Sequence, residues 1–284
     1  DSVYARALVM EVGDMRVAQV SVDLVNFYSD RVADVCKEKY GITQLLICAS
    51  HTHEDPNMAD ARPREKKPDH TPFFEECIVK VVGEAIGNMF PARISAGTRT
   101  FPQLGFNRLI IRKDGKARES WIGDEHYNVE NPERIPFGPV DPEVGVIKVE
   151  DMQGNARAIV MSYAMHADLG CFSYEISADY PGYACRKVEE AFDNKAVCLF
   201  VAGGGGNVEG LMISRRRSGP NDPIKTDYKP IQRTGELLGI EVIKLANALH
   251  ASGDNTSFKM RTDSLQFSTR ADKNRKVNVH IATF

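Results

Sequence analysis

The sequence has no run of 18 apolar residues, so no segment is predicted to cross a membrane as a helix. It also has no excess of basic charge. The formal net charge is −3 at pH 7 over 284 residues, which favours neither a nucleic-acid partner nor binding to an anionic membrane. A secretory signal peptide is absent too, but the chain starts directly on a strand-like segment. We therefore expect a fragment or a processed form, in which this absence says little about the compartment.

Paired cysteine motifs are also missing, because the 6 cysteines are scattered and form no Cys-x-x-Cys pair. Cys48 and Cys198 lie in apolar strand-like runs, and Cys77 and Cys185 lie in helix-like ones. A chain of this length can build a core without disulfide staples. We therefore predict buried free thiols rather than a disulfide framework.

The glycine run GGGGN at 203–207 is not a nucleotide-binding motif. It lacks the GxxxxGK[ST] pattern of a P-loop, and it lacks the helix spacing and later acidic residue of a dinucleotide fingerprint. Consecutive glycines do let a backbone approach a ligand closely, and their amides can bind an anion. The basic run 215–217 is predicted to be a solvated loop, with an acidic-ligand site as the alternative.

Strand-like and helix-like segments are mixed along the chain, which predicts the α/β class, with mixed β-sheets layered with helices. A hairpin is expected because Gly13-Asp14 separates two Val- and Leu-rich runs. The stretch 101–143 is expected to be irregular, and such long loops are usually functional or disordered. The predicted strands are 3–12, 16–25, 44–49, 92–100, 144–149, 157–164, 196–201 and two in 258–284; the predicted helices are 28–40, 73–89, 181–193 and 231–250.

Polar residues end three of the apolar strands: Asp23 the first, His51 and His53 the second, and His166 the third. Loops at strand ends carry ligands over a rigid base, so these side chains converge if the strands run parallel. Two alternatives stay open. Asp23 also suits the start of the following helix, and a lone histidine after a strand is often a hydrogen-bonded structural residue.

The segment SHTHEDPN at 50–57 carries two histidines separated by one threonine. In an extended backbone, His51 and His53 would project to the same side. One metal could take both imidazoles, or take one and leave the other for acid–base work. Imidazole suits zinc, and a catalytic zinc has three protein ligands and a water. The alternative is a surface turn whose histidines cap the next segment. The remaining histidines fit such a site poorly: His70, His126, His250 and His280.

Six segments lie in order along nearly the whole chain: VYARALVMEVGDMRVAQVSVDL, SHTHEDPN, NRLIIRKDG followed by GPVDPEVGVIKVED, SYAMHADLG, ISADYPGYA and VCLFVAGGGGNVEG. Together they resemble the neutral/alkaline non-lysosomal ceramidase family. Their order is more specific than any one of them. The resemblance implies one ceramidase-like catalytic domain over 1–284, truncated at both ends, and an extracytoplasmic (secreted or periplasmic) location.

This family is similar to zinc-dependent amide hydrolases that release a fatty acid from ceramide, so the resemblance implies zinc as the cofactor. By position it implies that His51 and His166 are zinc ligands and that His53 and Arg108 contact the substrate or its transition state. Asp23 is predicted to take part in catalysis. The family's further zinc ligands, a Glu and a Tyr, fall after the family position that matches Phe284. Completion of the metal site therefore falls to one of three carboxylates: Asp23, Glu54 or Asp168.

The sequence departs from the family at three places. Glu54-Asp55 stands where the family has Ser-Gly after His-Thr-His. His166-Ala167-Asp168 stands where it has His-Pro-Thr, and Glu209 stands where it has its candidate catalytic serine. We therefore predict a zinc-dependent hydrolase of a small-molecule or lipid-like amide or ester, not necessarily ceramide. One alternative is a non-catalytic binding protein with the same fold. A metal-dependent phosphoesterase ranks last, because it would want more carboxylate ligands.

Overall fold

A computed structural model describes most of the chain: residues 2–59, 68–120, 135–170, 175–212, 215–216, 225–251, 261–268 and 276–283. It contains mixed β-sheets with helices, as the α/β prediction required. Among the helices in these ranges, none combines the length and the apolar character that crossing a membrane takes. Five of the cysteines are free thiols, and the sixth, Cys171, lies outside the described residues.

The first sheet has three strands in the order β1-β2-β3. Strands β1 (Ala5–Val12) and β2 (Met15–Val22) form the predicted antiparallel hairpin, and β3 (Gln44–Ala49) runs parallel to β2. Helix α1 (Asp30–Tyr40) makes the crossover between β2 and β3. Its ends are set by the sequence. Ser29 caps the first turn by accepting from the Val32 amide, and Gly41 ends the helix at a φ of 65°.

Helix α3 (Thr71–Gly87) follows the short helix α2 (Pro56–Ala59) and packs on strand β1 and on helix α1. The core beneath these helices contains Val20, Val32, Ile78 and Val82. Helix α3 begins two residues before the predicted 73–89, with a proline in its first turn, where a missing amide is tolerated. The polar, proline-containing stretch 61–72 is predicted from its sequence to be a surface loop, and 61–67 of it lie outside the described residues.

The second sheet has four strands, in the order β10 (Val197–Ala202), β9 (Ala156–Tyr163), β8 (Glu143–Asp151) and β4 (Ala92–Thr100). The β9/β10 pair is parallel and the other pairs are antiparallel. Helix α4 (Asp179–Ala191) connects β9 to β10 and packs against α5 (Tyr228–Ala248) over the main core. Strand β10 also contacts the first sheet, where the Ser21 hydroxyl donates to the Phe200 carbonyl at 2.8 Å.

The stretch 101–143 is not wholly irregular, so that prediction is wrong for its first part. It holds β5 (Gly105–Asn107), β6 (Leu109–Ile111) and β7 (Ala117–Glu119), while 121–134 lies outside the described residues. Strand β6 pairs with β7, and β5 pairs with the distant β11 (Val208–Gly210). Strands of three residues are too short to show a periodic pattern in the sequence.

Two further hairpins complete the described strands. Strands β14 (Arg261–Ser268) and β15 (Lys276–Thr283) form an antiparallel pair, which confirms the two strands predicted in the tail. Part of the predicted basic loop is instead the short strand β12 (Arg215–Arg216), which pairs with β13 (Lys225–Thr226). Its third arginine lies outside the described residues.

Candidate metal centre

Three histidine rings meet at one point of the described structure. His51 and His53 follow strand β3 of the first sheet, and His166 follows strand β9 of the second. The Nε2 atom of His53 lies 3.4 Å from that of His51 and 3.0 Å from that of His166. One ligand atom of each ring lies within 4.8 Å of the others. The ends of strands from two sheets, rather than from one sheet, therefore build this three-histidine cluster.

The His-Thr-His backbone is not extended, contrary to the prediction. His51 has a φ of 66°, a left-handed conformation that is uncommon for a residue other than glycine and that concentrates at functional sites. Backbone hydrogen bonds hold the turn. The His51 amide donates to the Leu24 carbonyl at 3.0 Å, and the His53 amide donates to the Ala167 carbonyl at 2.9 Å. The second bond joins the loops of the two sheets.

The His51 ring is oriented by groups that the sequence analysis did not single out. Its Nδ1 lies 2.7 Å from the Val25 carbonyl oxygen, which can only accept, so Nδ1 carries the proton and Nε2 keeps its lone pair. The Val25 amide in turn donates to the Asp55 carboxylate at 2.9 Å. Such outer contacts fix the tautomer and orientation of a metal-binding histidine. The only sequence signal for Asp55 was its place after His-Thr-His.

His166 is the most buried ring of the cluster, with 8% of its surface exposed. Burial lowers its pKa, and the nearby charges of His51 and Arg108 act in the same direction, while the Asp168 charge opposes them. A lowered pKa favours the neutral imidazole, which is the form that binds a metal. The backbone of His166 is fixed by a 2.8 Å hydrogen bond to the Val208 carbonyl.

Two nitrogen separations in the cluster match those of ligands that share one tetrahedral zinc. Zinc–nitrogen bonds of about 2.0–2.1 Å place two ligand nitrogens about 3.3 Å apart. The Nε2 separations of 3.0 and 3.4 Å bracket this value. Three imidazoles would leave the fourth position open, as in catalytic rather than structural zinc sites.

The Asp23 carboxylate is not part of the three-histidine group, and its contacts are made to residues of the first strand and the segment before it. Its carboxylate lies 3.4 Å from the Arg6 guanidinium and accepts from the Tyr4 amide at 3.0 Å. Arg6 also pairs with Glu189 of α4 at 3.2 Å. Burial raises the Asp23 pKa, and Arg6 limits that rise. The contacts are those of a buried ion-pair network between β1 and α4.

Two other proposed carboxylate ligands, Glu54 and Asp168, are buried but do not belong to the three-histidine group. Glu54 is 1% exposed, and its Oε1 accepts from the Tyr228 hydroxyl at 2.9 Å. Asp168 is buried close enough to His166 to affect its pKa. Asp179, in the SADYPGY segment, lies in the same acidic neighbourhood. Burial raises its pKa to about 8, and the charges of Glu54 and Asp168 also raise it. Of these three carboxylates, Asp168 is the one whose charge acts on His166.

Arg108 lies beside the cluster and is already ion-paired. Its Nη1 bonds Oε1 of Glu209, and its Nε lies 3.5 Å from Glu119. The pairing of β5 with β11 brings Glu209 next to Arg108, and the Arg108 amide donates to the Asn207 carbonyl at 2.8 Å. Glu209, which the resemblance matches to the family's candidate catalytic serine, is completely buried.

The other histidines lie elsewhere. His70 precedes α3 without a side-chain capping bond, and its ring lies 6.0 Å from that of Phe74. His250 is exposed just after α5, and His280 is in strand β15. His126 lies outside the described residues.

The glycine run packs closely against the segment that carries His166. The Gly203 amide donates to the Tyr163 carbonyl at 2.9 Å, and the Gly205 amide donates to the Gly203 carbonyl at 2.7 Å. A Cβ added at Gly205 would lie 2.7 Å from the Met165 amide nitrogen. The close backbone approach expected from these glycines is therefore made to the chain itself.

Gly205→Ala is expected to destabilise the protein by about 1–3 kcal/mol, because the added methyl group overpacks a backbone contact. The free energy of unfolding in urea measures this loss. Gly204→Ala is the matched control, since a Cβ there meets nothing within 4 Å. An equal loss in both variants would show that the contact with Met165 is not the cause.

Comparison with known proteins identifies the fold. No family model matches the chain, and no curated protein matches its sequence. A solved structure of neutral ceramidase from Pseudomonas aeruginosa is similar, with a TM-score of 0.62, 16% identity, and coverage of 93% of this chain and 42% of that chain. The fold is ceramidase-like. A ceramidase complexed with C2 is also similar, with a TM-score of 0.65, 17% identity, and coverage of 96% of this chain and 43% of that chain.

The ceramidase-like fold confirms at the level of architecture what the six ordered segments predicted. The chain spans less than half the length of both ceramidase chains. At this identity the similarity shows the fold alone, and the chemistry must be argued from the residues of this chain.

Proposed function

We propose that this protein is a zinc-dependent hydrolase that cleaves an amide or ester bond. The convergence of three imidazole nitrogens from His51, His53 and His166 carries the proposal. Three histidines with an open fourth position form a known ligand set for a catalytic zinc. The ceramidase-like fold supports a hydrolase.

The protein's own residues would divide the work around that metal. A bound zinc supplies Lewis-acid polarisation of a carbonyl and activation of water. The Val25 carbonyl holds His51 in the tautomer that binds the metal. Arg108 offers N–H donors beside the cluster, where negative charge develops on the carbonyl oxygen during the reaction.

Proton transfer then falls to a carboxylate, because all three histidines of the cluster serve as ligands in this proposal. Asp168 is our choice, since its charge is the strongest that acts on the buried His166. A carboxylate in this role takes a proton from the water that attacks the carbonyl and gives it to the leaving group.

The substrate we propose is a small-molecule or lipid-like amide or ester, met outside the cytoplasm. The ceramidase-like fold supports a lipid-like substrate. Glu209 in place of the family's serine argues against ceramide itself as the substrate of this protein. The net charge of −3 supports no nucleic-acid partner.

A binding protein without catalysis is the second candidate. The observation in its favour is the state of Arg108, whose guanidinium already contacts Glu209 and Glu119. A cation so engaged has fewer donors for a substrate oxygen.

Zinc content and hydrolysis, measured on one preparation, test the proposal. We expect about one zinc per chain, as for a mononuclear site. We also expect hydrolysis of fluorogenic N-acyl amides or p-nitrophenyl esters that a chelator abolishes and added zinc restores. Zinc without hydrolysis of any of them would favour the binding protein. A protein that takes up no zinc would overturn the proposal.

A further inference from the structure

The Arg108–Glu209 ion pair is largely buried and joins two segments that are distant in the sequence. It joins β11 to the residue that follows β5, across 101 positions of sequence. The Glu209 side chain is 0% exposed and that of Arg108 is 16% exposed. Taking two charges out of water is costly unless they are well paired. The position of this pair, next to the three-histidine cluster, indicates its role.

The pair is coupled to the three-histidine cluster through both backbone and charge. The His166 amide donates to the carbonyl of Val208, the residue next to Glu209, at 2.8 Å. The Arg108 amide donates to the carbonyl of Asn207 at 2.8 Å, so Arg108 is held by the same backbone segment that holds His166. A divalent cation at the cluster carries two positive charges, so an uncompensated Arg108 would repel it.

We propose that Glu209 is a positioning residue of the metal centre: its carboxylate fixes Arg108 beside the three histidines and cancels the guanidinium charge there, so that the cluster binds a divalent cation. This inference rests on the proposed function, which places a metal on the histidines.

Glu119 does not replace Glu209 in this role. Its carboxylate lies 3.5 Å from Arg108, and its side chain is 48% exposed. Water and salt screen a half-exposed carboxylate, so its contribution to the local charge is small. The buried carboxylate therefore dominates the compensation.

The inference predicts effects of opposite sign at the two members of the pair. Glu209→Gln keeps the size of the side chain but removes its charge, and it should weaken zinc affinity about 10- to 100-fold, the range for outer contacts of a metal site. Arg108→Gln should bind zinc at least as tightly as wild type. The double variant should return to within about twofold of wild type, because neither charge remains.

The experiment is zinc titration of the metal-free protein in competition with a chromogenic chelator. Far-UV circular dichroism and thermal melts check that each variant is folded. Glu75→Gln is the matched control. It removes the charge from another short Arg–Glu pair, with Arg31, between α1 and α3, and it should leave zinc affinity unchanged.

The outcomes separate this inference from the proposed function. A wild-type protein that binds no zinc overturns both. A wild-type protein that binds zinc, with Glu209→Gln binding equally well, overturns only the role of Glu209. Should Glu209→Gln fail to fold, the double variant decides. Affinity near wild type supports charge compensation, and affinity reduced tenfold or more contradicts it.

Discussion

Replacement of His166 by alanine is expected to strip zinc from the protein and to abolish hydrolysis. The ring is the most buried of the three and approaches the His53 Nε2 at 3.0 Å. Loss of an outer contact alone costs about 10- to 100-fold in metal affinity, so loss of a ligand should cost at least about 100-fold. Zinc content after dialysis and turnover of an N-acyl amide, each compared with wild type, measure the two effects.

His70→Ala is the matched control for this experiment. It removes the same side chain from a site outside the cluster, where the ring makes no capping hydrogen bond. Zinc content and turnover should both stay at the wild-type level. A folded His166→Ala protein that kept its zinc would remove His166 from the ligand set, and the proposed mechanism would fall with it.

The parts of the fold that the sequence predicted well are those with local causes. Helix α1 was predicted because Ser29 and Gly41 mark its ends, and the first hairpin because Gly13, at a φ of 58°, makes its turn. Apolar runs located β3 and β9, and with them the positions of His51 and His166. These signals lie within a few residues of the element that they specify.

The parts that the sequence did not predict depend on contacts between distant residues. Asp23 follows a strand just as His51 and His166 do, yet it lies against Arg6 of the neighbouring strand. The Arg108–Glu209 pair depends on the pairing of two three-residue strands. Periodicity reports which face of a strand is buried, but not which strand it meets.

The acidic residues around the cluster show the same limit. Glu54 was a possible ligand because it follows His-Thr-His, but its carboxylate bonds the Tyr228 hydroxyl from helix α5 instead. Asp55, its neighbour, supports His51 through the backbone of Val25. Adjacent residues of one motif thus take different tasks, which only the surrounding elements decide.

His53 is the residue at which the geometry and the family resemblance give different roles. The resemblance implies contact with the substrate or its transition state. In the structure the His53 Nε2 lies 3.0 Å from that of His166 and 3.4 Å from that of His51, which are the separations of shared metal ligands. We therefore expect His53→Ala to weaken zinc binding by at least about 100-fold, as loss of a ligand does.

His51→Ala provides the reference for this last experiment, since both interpretations make His51 a ligand. Zinc affinity of the two variants is measured beside kcat and KM at saturating zinc. Equal losses of affinity place His53 in the ligand set and leave the proton to a carboxylate. If His53→Ala keeps wild-type zinc affinity and loses only turnover, His53 acts on the substrate. The third ligand would then have to come from elsewhere, because two imidazoles do not complete a catalytic zinc site.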